Sequence, residues 1–342
     1  MVKKPQDEIN LTVIIPVYNS QAWIQETLNK LFFALSRSTF KAEVIVVDDG
    51  STDKSAEQVE QVIAPKGIRL RLLKQKNEGR YLARKAGVEA ATFDSILFLD
   101  SRVHATPDSL RFLSKQLVDS RDQIWNGHVH VVKNGNPFAR FWDAVACIGW
   151  RRYFRHPKTT SYSVKDFDYY PKGTGFFFVP LHVLKNAMNW FERNTSDVAH
   201  SSDDTLLIRR MNETHDIHLS PEFSCYYHAR STLRGFLIHA FHRGEFFVDG
   251  FLRPSTRFYV PLLMVLGISV ALVVSTIVFP SVMIKVIAAG CVLFMITLTA
   301  GALALGITWK DACSLGVLGV PFAFVYLAGL WTGVWHRVKA KS

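Results

Sequence analysis

The chain has 342 residues, 49% of them apolar and 13% aromatic, with 40 Lys+Arg against 29 Asp+Glu and a formal net charge of +11. That length holds a sizeable core and more than one structural unit, and the basic excess suits nucleic acid, anionic lipid or a phosphorylated substrate. Residues 258–335 carry only Lys285, Lys310 and Asp311 as charges, so a basic polar part joined to an apolar tail fits a membrane surface and argues against a nucleic-acid binder.

The first ten residues, MVKKPQDEIN, have no apolar stretch behind their basic residues. That argues against a signal peptide and for a polar part on the cytoplasmic side. Residues 11–17 (LTVIIPV) are predicted as a first strand, closed by Tyr18, Asn19 and Ser20. Residues 21–35 follow as a helix, with Trp23, Ile24, Leu28, Leu31 and Phe32 near helical spacing. The second strand is expected at 43–48, a short helix at 53–63, and a third strand at 69–75, where RLRLLKQ alternates. Residues 79–91 read as a helix, SILFLD at 95–100 as a fourth buried strand, and Pro107 as the start of a helix to about 118. Strands alternating with helices predict an α/β fold with a mainly parallel, doubly wound sheet.

Beyond it the pattern changes. Residues 137–158 mix Phe138, Phe141, Trp142, Trp150 and Tyr153 with Arg140, Arg151, Arg152 and Arg155. This reads either as an amphipathic helix packed on the domain or as a helix in the lipid headgroup zone. Residues 232–253 offer a second such helix. Three apolar runs follow, at about 258–279, 282–306 and 311–335, each reaching the roughly 20 residues needed to cross a bilayer. The number of true crossings stays open, because Arg253 and Arg257 favour a cytoplasmic start while Arg337, Lys339 and Lys341 would then lie outside after three. The division expected is a catalytic domain at 1–230, an amphipathic interfacial segment at 231–257, a transmembrane region at 258–335 and a basic tail at 336–342. Cys147, Cys225, Cys291 and Cys313 form no CxxC, which argues against a disulfide framework or a zinc site.

The most informative stretch is VIVVDDGSTDKS, residues 44–55. A buried strand ends in Asp48 and Asp49, and the ends of such strands are where open α/β sheets bind ligands. Carboxylates there suit hydrogen bonds to sugar hydroxyls, base amides or a metal. Helix capping explains Ser51, Thr52 or Asp53 well, but the paired acids less well. No GxGxxG follows the first strand, which excludes a dinucleotide oxidoreductase.

IIPVYNS (14–20), VDDGSTD (47–53), NEGRYLARKAG (77–87) and ILFLDSR (96–102) occur in that order. Together they resemble family 2 glycosyltransferases of the GT-A fold, over roughly residues 10–230. The resemblance implies a nucleotide-diphosphate sugar at the strand ends, with Pro16, Tyr18 and Asp49 lining the base and ribose pocket and Arg84 near the nucleotide. The family's Asp-x-Asp metal motif reads Asp100-Ser101-Arg102 here. Either Asp100 with another ligand, such as His228, holds a divalent cation (Mg2+ or Mn2+), or Arg102 itself steadies the leaving diphosphate. His228 reads equally as a core histidine, and His104 as a surface residue. Gly173 and Gly175 in PKGTGFFFVP resemble the glycine segment that passes close to the sugar. SSDDTLLIRR (201–210) resembles the Glu-Asp-x-x-Leu-x-x-Arg motif, with Asp203, Asp204, Leu207 and Arg210 in place. In inverting relatives the second acid is the general base; towards an already ionised lipid phosphate it would orient instead.

The Gln-x-x-Arg-Trp motif of processive members is missing, and HAFHRGE (239–245) resembles the Arg-Gly segment of non-processive relatives. Arg210 and Arg243 are thus candidates for acceptor or diphosphate contact. The resemblance implies a membrane-anchored, hexosyltransferase-like enzyme. It would transfer one sugar, with inversion, to a polyprenyl-phosphate or lipid-linked saccharide at the cytoplasmic membrane face. Its partners would be the nucleotide sugar, the polyprenyl lipid and membrane lipids, with a homo-oligomer compatible and no nucleic acid. The competing readings are a processive polysaccharide synthase and a catalytically silent membrane scaffold.

Overall fold

The computed structural model describes residues 9–195, 203–254 and 256–339. In chain order the elements are β1 (Ile9–Val17), α1 (Ile24–Ser36), β2 (Phe40–Asp49), α2 (Ser55–Glu60), β3 (Arg69–Gln75), α3 (Arg80–Ala90), β4 (Ser95–Leu99), β5 (Val103–Ala105) and α4 (Ser109–Gln116). Next come β6 (Ile124–Val131), α5 (Pro137–Gly149), α6 (Arg151–Phe154), β7 (Thr160–Tyr162), β8 (Phe176–Pro180), α7 (Leu181–Asn194), α8 (Asp203–Asn212) and β9 (Ile217–Tyr227). The last four are α9 (Leu233–Phe251), α10 (Tyr259–Val278), α11 (Pro280–Ala304) and α12 (Trp309–Lys339). The expected alternation over the first hundred residues is present, with ends shifted by a few residues at most.

The chain divides into two units, Met1–Val132 with His156–His228, and Lys133–Arg155 with Ala229–Ser342. The first is built on a sheet of order β3-β2-β1-β4-β8-β6-β9-β5, with β7 also on β9. Strands β1 to β4 run parallel, β8 runs antiparallel to β4, and β6 pairs antiparallel with β8 and parallel with β9. The β1 residues Leu11, Val13 and Ile15 share one face of the strand. They pack in one cluster with Leu28, Leu31 and Leu35, which recur at near-helical spacing on α1. Full burial of each such side chain contributes about 1.5–3 kcal/mol. Gly87 lets α3 approach β1, since a Cβ there would overlap the Ile14 side chain. Glu43, midway along β2, is buried but accepts from Thr12 Oγ1 at 2.7 Å and from Thr92 N at 2.7 Å. Burial pushes its pKa up, but those bonds and the charge of Arg71 outweigh it and hold the carboxyl below its ordinary value.

In the second unit, α5 starts with Pro137 behind Asn136, whose side chain accepts from Phe138 N at 2.9 Å and Ala139 N at 3.3 Å. Phe141 and Ala144 of α5 pack with Phe236 of α9, Ala302 of α11 and Ala312 and Leu315 of α12. The aromatic run at 137–149 is therefore partly a packing surface. Asp311, at the start of α12, is buried and bridges Lys133 at 2.6 Å and Arg140 at 2.9 Å. Close approach of α9 and α12 rests on Gly329 and Gly333. An added Cβ would overlap the Phe241 carbonyl at the first and reach 2.5 Å from the Glu245 carbonyl at the second. The helices α10, α11 and α12 have 20, 25 and 31 residues and are long and apolar enough to cross a membrane. The chain is accordingly membrane-associated.

Candidate active site

Two loops at the C-terminal ends of β1 and β2 are laced together by side chains. Thr52 N donates to Asn19 Oδ1 at 2.8 Å, Ser20 N to Ser55 Oγ at 2.7 Å, and Gln21 N to Asp53 Oδ2 at 3.1 Å. Ser51, Thr52 and Asp53 therefore serve the local turn. Gly50 has φ +72, and a Cβ there would stand 2.7 Å from Asn77 N, so the turn requires glycine.

The two adjacent acids diverge. Asp48 Oδ1 accepts from Ser51 N at 3.3 Å and closes the turn. Asp49 reaches the other way: Oδ1 accepts from Gln75 Nε2 at 2.8 Å and Glu78 N at 2.9 Å, and Oδ2 from Gly79 N at 3.0 Å. Its charge thus sits at the N-terminus of α3, where backbone N–H groups point. Of the other expected base and ribose residues, Pro16 lies in β1 opposite Val47, and Tyr18 is half-exposed just beyond the strand.

The centre of the site is Arg84 on α3, whose side chain is only 3% exposed. Nη1 donates to Asp204 Oδ1 at 2.7 Å and Nη2 to Asp100 Oδ1 at 3.0 Å. The planar fork suits two carboxylates that approach from different elements, the end of β4 and the first turn of α8. Arg80, one turn earlier, lies 3.7 Å from Asp204 Oδ2, and Thr174 Oγ1 donates to Asp204 Oδ1. Burial pushes the Asp204 pKa up, but Arg80, Arg84 and Thr174 outweigh it and hold the carboxyl far below the ordinary range. Lys85 faces away to Glu192 at 2.7 Å. Asp203 begins α8, but its side chain lies outside the described residues, as do Ser201 and Ser202.

Gly175 O accepts from Asp100 N at 2.9 Å, and a Cβ on Gly175 would stand 3.2 Å from Asp100 Oδ2. Gly173 N donates to Asn126 Oδ1 at 3.2 Å, and a Cβ there would meet no protein atom within 4 Å. The glycine segment therefore runs beside the Asp100 carboxylate.

Arg102 is placed with Trp23, its Cζ 5.9 Å from the ring centroid, and its carbonyl accepts from His228 N at 3.1 Å. His228 Nε2 lies 3.1 Å from His104 Nδ1, and the Trp23 and His228 rings are 4.7 Å apart. His104, expected at the surface, is buried instead, because β5 pairs with β9 and folds it under His228. Burial, helped at His104 by the neighbouring His228, pushes both imidazoles below the ordinary histidine pKa. Both are therefore neutral at pH 7, the form that binds metals.

The donor set fits a hard cation. Asp100 supplies one oxygen, and Mg2+ or Mn2+ takes one or two carboxylates, waters and substrate phosphates. His228 turns Nε2 to His104 and packs on Trp23. Arg210 pairs with Glu213 and lies over Trp190, its Cζ 5.6 Å from that ring, rather than in the Arg84 cluster. Arg243, in the second unit, donates from Nε to His239 Nε2 at 3.3 Å and stacks on Trp142 at 5.3 Å. Sequence reading passed over Thr174, Trp23 and Asn126. Thr174 had a visible signal, a hydroxyl between the two glycines of Gly173-Thr174-Gly175, whereas Trp23 and Asn126 had none beyond ordinary core positions.

The sequence model described as Glycosyl transferase family 2 matches residues 12–184. Among curated proteins, an undecaprenyl-phosphate 4-deoxy-4-formamido-L-arabinose transferase of Pseudomonas fluorescens is 32% identical over 122 residues, 35% of this chain and 36% of the relative. An uncharacterized glycosyltransferase of Haemophilus influenzae is 37% identical over 101 residues, 29% of this chain and 39% of the relative. The matched segment thus spans little more than a third of either relative. Among solved structures, a mannosyltransferase from Pyrobaculum calidifontis in complex with GDP-Man and Mn2+ superposes with a TM-score of 0.58 at 16% identity, over 98% of this chain and 92% of that one. At that identity the likeness concerns the fold. Four ordered motifs, the GT-A-like sheet and a family match over half of the sequence agree, and the chain belongs to glycosyl transferase family 2.

Proposed function

We propose that this protein is an inverting glycosyltransferase. It moves one sugar from a nucleotide-diphosphate donor to a polyprenyl phosphate or lipid-linked saccharide. The observation that carries this reading is the single guanidinium of Arg84 holding both Asp100 and Asp204 at the strand ends. A scaffold has no physical need for that cluster. The relatives named undecaprenyl-phosphate transferases support the lipid acceptor, as do the three apolar helices.

In the proposed reaction an acceptor oxygen attacks the anomeric carbon, and the bond to the donor diphosphate breaks with its electron pair going to the diphosphate. Arg80 and Arg84 give this wall of the site its positive charge toward the diphosphate, Asp100 is the carboxylate that would hold a divalent cation there, and Gly173 admits the sugar close to the backbone. When bound at Asp100, a divalent cation would neutralise the leaving diphosphate. Asp203 and Arg210 are kept as supporting candidates for acceptor binding.

Asp204 is a weak base, because Arg80 and Arg84 stabilise its ionised form. General-base catalysis works best with a pKa near the operating pH. An acceptor whose nucleophilic oxygen is already ionised removes that requirement, so we favour a polyprenyl phosphate, with Asp204 acting through Arg80 and Arg84, whose guanidiniums it holds in place. Arg243 on α9, in the second unit, is a candidate contact for lipid-borne phosphate. Arg253 and Arg257, just before α10, favour a catalytic unit on the cytoplasmic side of the inner membrane. Surface polysaccharide, glycolipid or glycoprotein synthesis would consume the product.

The test supplies membranes containing the wild-type protein with a panel of labelled nucleotide sugars and polyprenyl phosphates. Label entering solvent-extractable lipid with wild type, and not with Asp204→Asn, is the expected result. Long polymer would move the assignment to a processive synthase. No transfer from any donor would move it to a silent scaffold.

A further inference from the structure

Asp122, His182 and His215 stand far apart in sequence and meet in the first unit at the start of β6, the first turn of α7 and the turn before β9. One ligand atom of each lies within 4.8 Å of the others. His182 Nε2 is 3.2 Å from Asp122 Oδ1, and His215 Nε2 is 3.3 Å from Asp122 Oδ2. A four-coordinate ion with bonds of about 2.1 Å sets its ligand atoms roughly 3.4 Å apart. Each imidazole nitrogen already stands near that edge length from its own oxygen of the Asp122 carboxylate.

The second observation concerns the other ring nitrogen of His215. Nδ1 lies 2.8 Å from Thr214 Oγ1, and such a partner fixes the orientation of a metal-binding imidazole. The backbone beneath the three side chains is held as well. Ile124 and Ile217 are paired in the sheet, and Leu181 N donates to Asp94 O at 2.8 Å, which fastens the start of α7. Sheet register puts the cluster at the opposite end of the strands from Asp100. The end of β8, Pro180, pairs with Ser95 at the start of β4, whereas Phe176 pairs with Leu99 beside Asp100.

The geometry points to a binding site for a borderline transition-metal ion, Zn2+ or a close substitute, held by Asp122, His182 and His215 apart from the sugar-transfer site. Two imidazoles and one carboxylate suit Zn2+, Co2+ or Ni2+, whereas Asp100 with phosphate oxygens suits Mg2+ or Mn2+. The ion clamps the entry of β6, the entry of β9 and the start of α7, and its fourth position is open to solvent. Binding only the folded state, it raises stability.

The experiment uses full-length protein in detergent, carrying no histidine tag and stripped with EDTA. Zn2+ is titrated by calorimetry, and Co2+ by its visible absorption bands. One Zn2+ per chain is expected, with a rise in melting temperature. Binding should weaken at least tenfold in His182→Ala and in His215→Gln, and measurably in Thr214→Val. Asp100→Asn should keep the Zn2+ equivalent. These side chains reach solvent, so the metal-free variants should melt as wild type does; a lowered melting point with Zn2+ affinity unchanged counts against the site. The proposal is overturned if wild type binds no Zn2+, if the His182→Ala/His215→Gln double variant binds as wild type does, or if Asp100→Asn loses the ion.

Discussion

Nη1 of Arg84 lies 2.7 Å from Oδ1 of Asp204, although 120 positions separate the two residues in the chain. The contact joins the helix that follows β3 to the helix that precedes β9. It depends on α3 presenting a buried arginine beside the end of β4. The same guanidinium holds Asp100 at 3.0 Å, so its charge offsets two carboxylates that would otherwise repel each other.

Arg84→Lys should lower kcat/KM for transfer into extractable lipid by about 100-fold, because a point charge cannot span two carboxylates. The substitution also weakens the stabilisation of ionised Asp204, so that pKa rises. Activity that needs the carboxylate is lost as pH falls through its pKa. The acid limb of the pH–rate profile should therefore move to higher pH in the variant. A parallel drop with an unmoved limb would contradict the assignment.

Arg102 occupies the position where the family pattern has its second acid, and it sits over Trp23. Arg102→Asp should make transfer more responsive to added Mn2+ and more sensitive to EDTA than the wild type, since a second carboxylate strengthens a hard-cation site. Equal EDTA sensitivity in both proteins would show that this position does not reach the ion.

Burial, with His130 adding to it, lowers the His128 pKa from 6.5 to about 4. A depressed pKa means stability that is full above the unfolded value and is lost as pH falls. The window is therefore pH 6.5 down to about 4, where the unfolded chain takes up the proton first, with at most about 3 kcal/mol at stake. His128→Gln should flatten the melting temperature between pH 7 and pH 5. A slope equal to that of wild type would place the acid sensitivity elsewhere.

Gly329→Val should separate α9 from α12, because the new side chain meets the Phe241 carbonyl and the neighbouring turn of α9. Overpacking of this kind costs about 3 kcal/mol, and here the obstacle is backbone. The expected readout is a fall in monodisperse protein after detergent extraction. Gly290→Ala, where an added Cβ meets nothing within 4 Å, should behave as wild type.

The α/β alternation, the polar turn after Asp49 and the three apolar helices were legible from residue order. The reason is local: period and capping residues act over a few neighbours, and hydrophobic length alone marks a helix able to cross a membrane. The family motifs were legible for a related reason, since each is a short run at one strand end. His104 went astray because burial is a property of the neighbouring strand. Nothing around Val103-His104-Ala105 announces that β9 will cover it.

What residue order left open is which side chains meet. Asp49 turns to the amides of residues 78 and 79, Asp204 to Arg84, and Asp122 to two histidines on other elements. The cysteine spacing argued against zinc, yet a His–His–Asp cluster formed from residues with no common spacing at all. Local patterns follow from backbone geometry and burial period, whereas these meetings follow from strand order and register, which join residues 29 to 120 positions apart only once the sheet has closed.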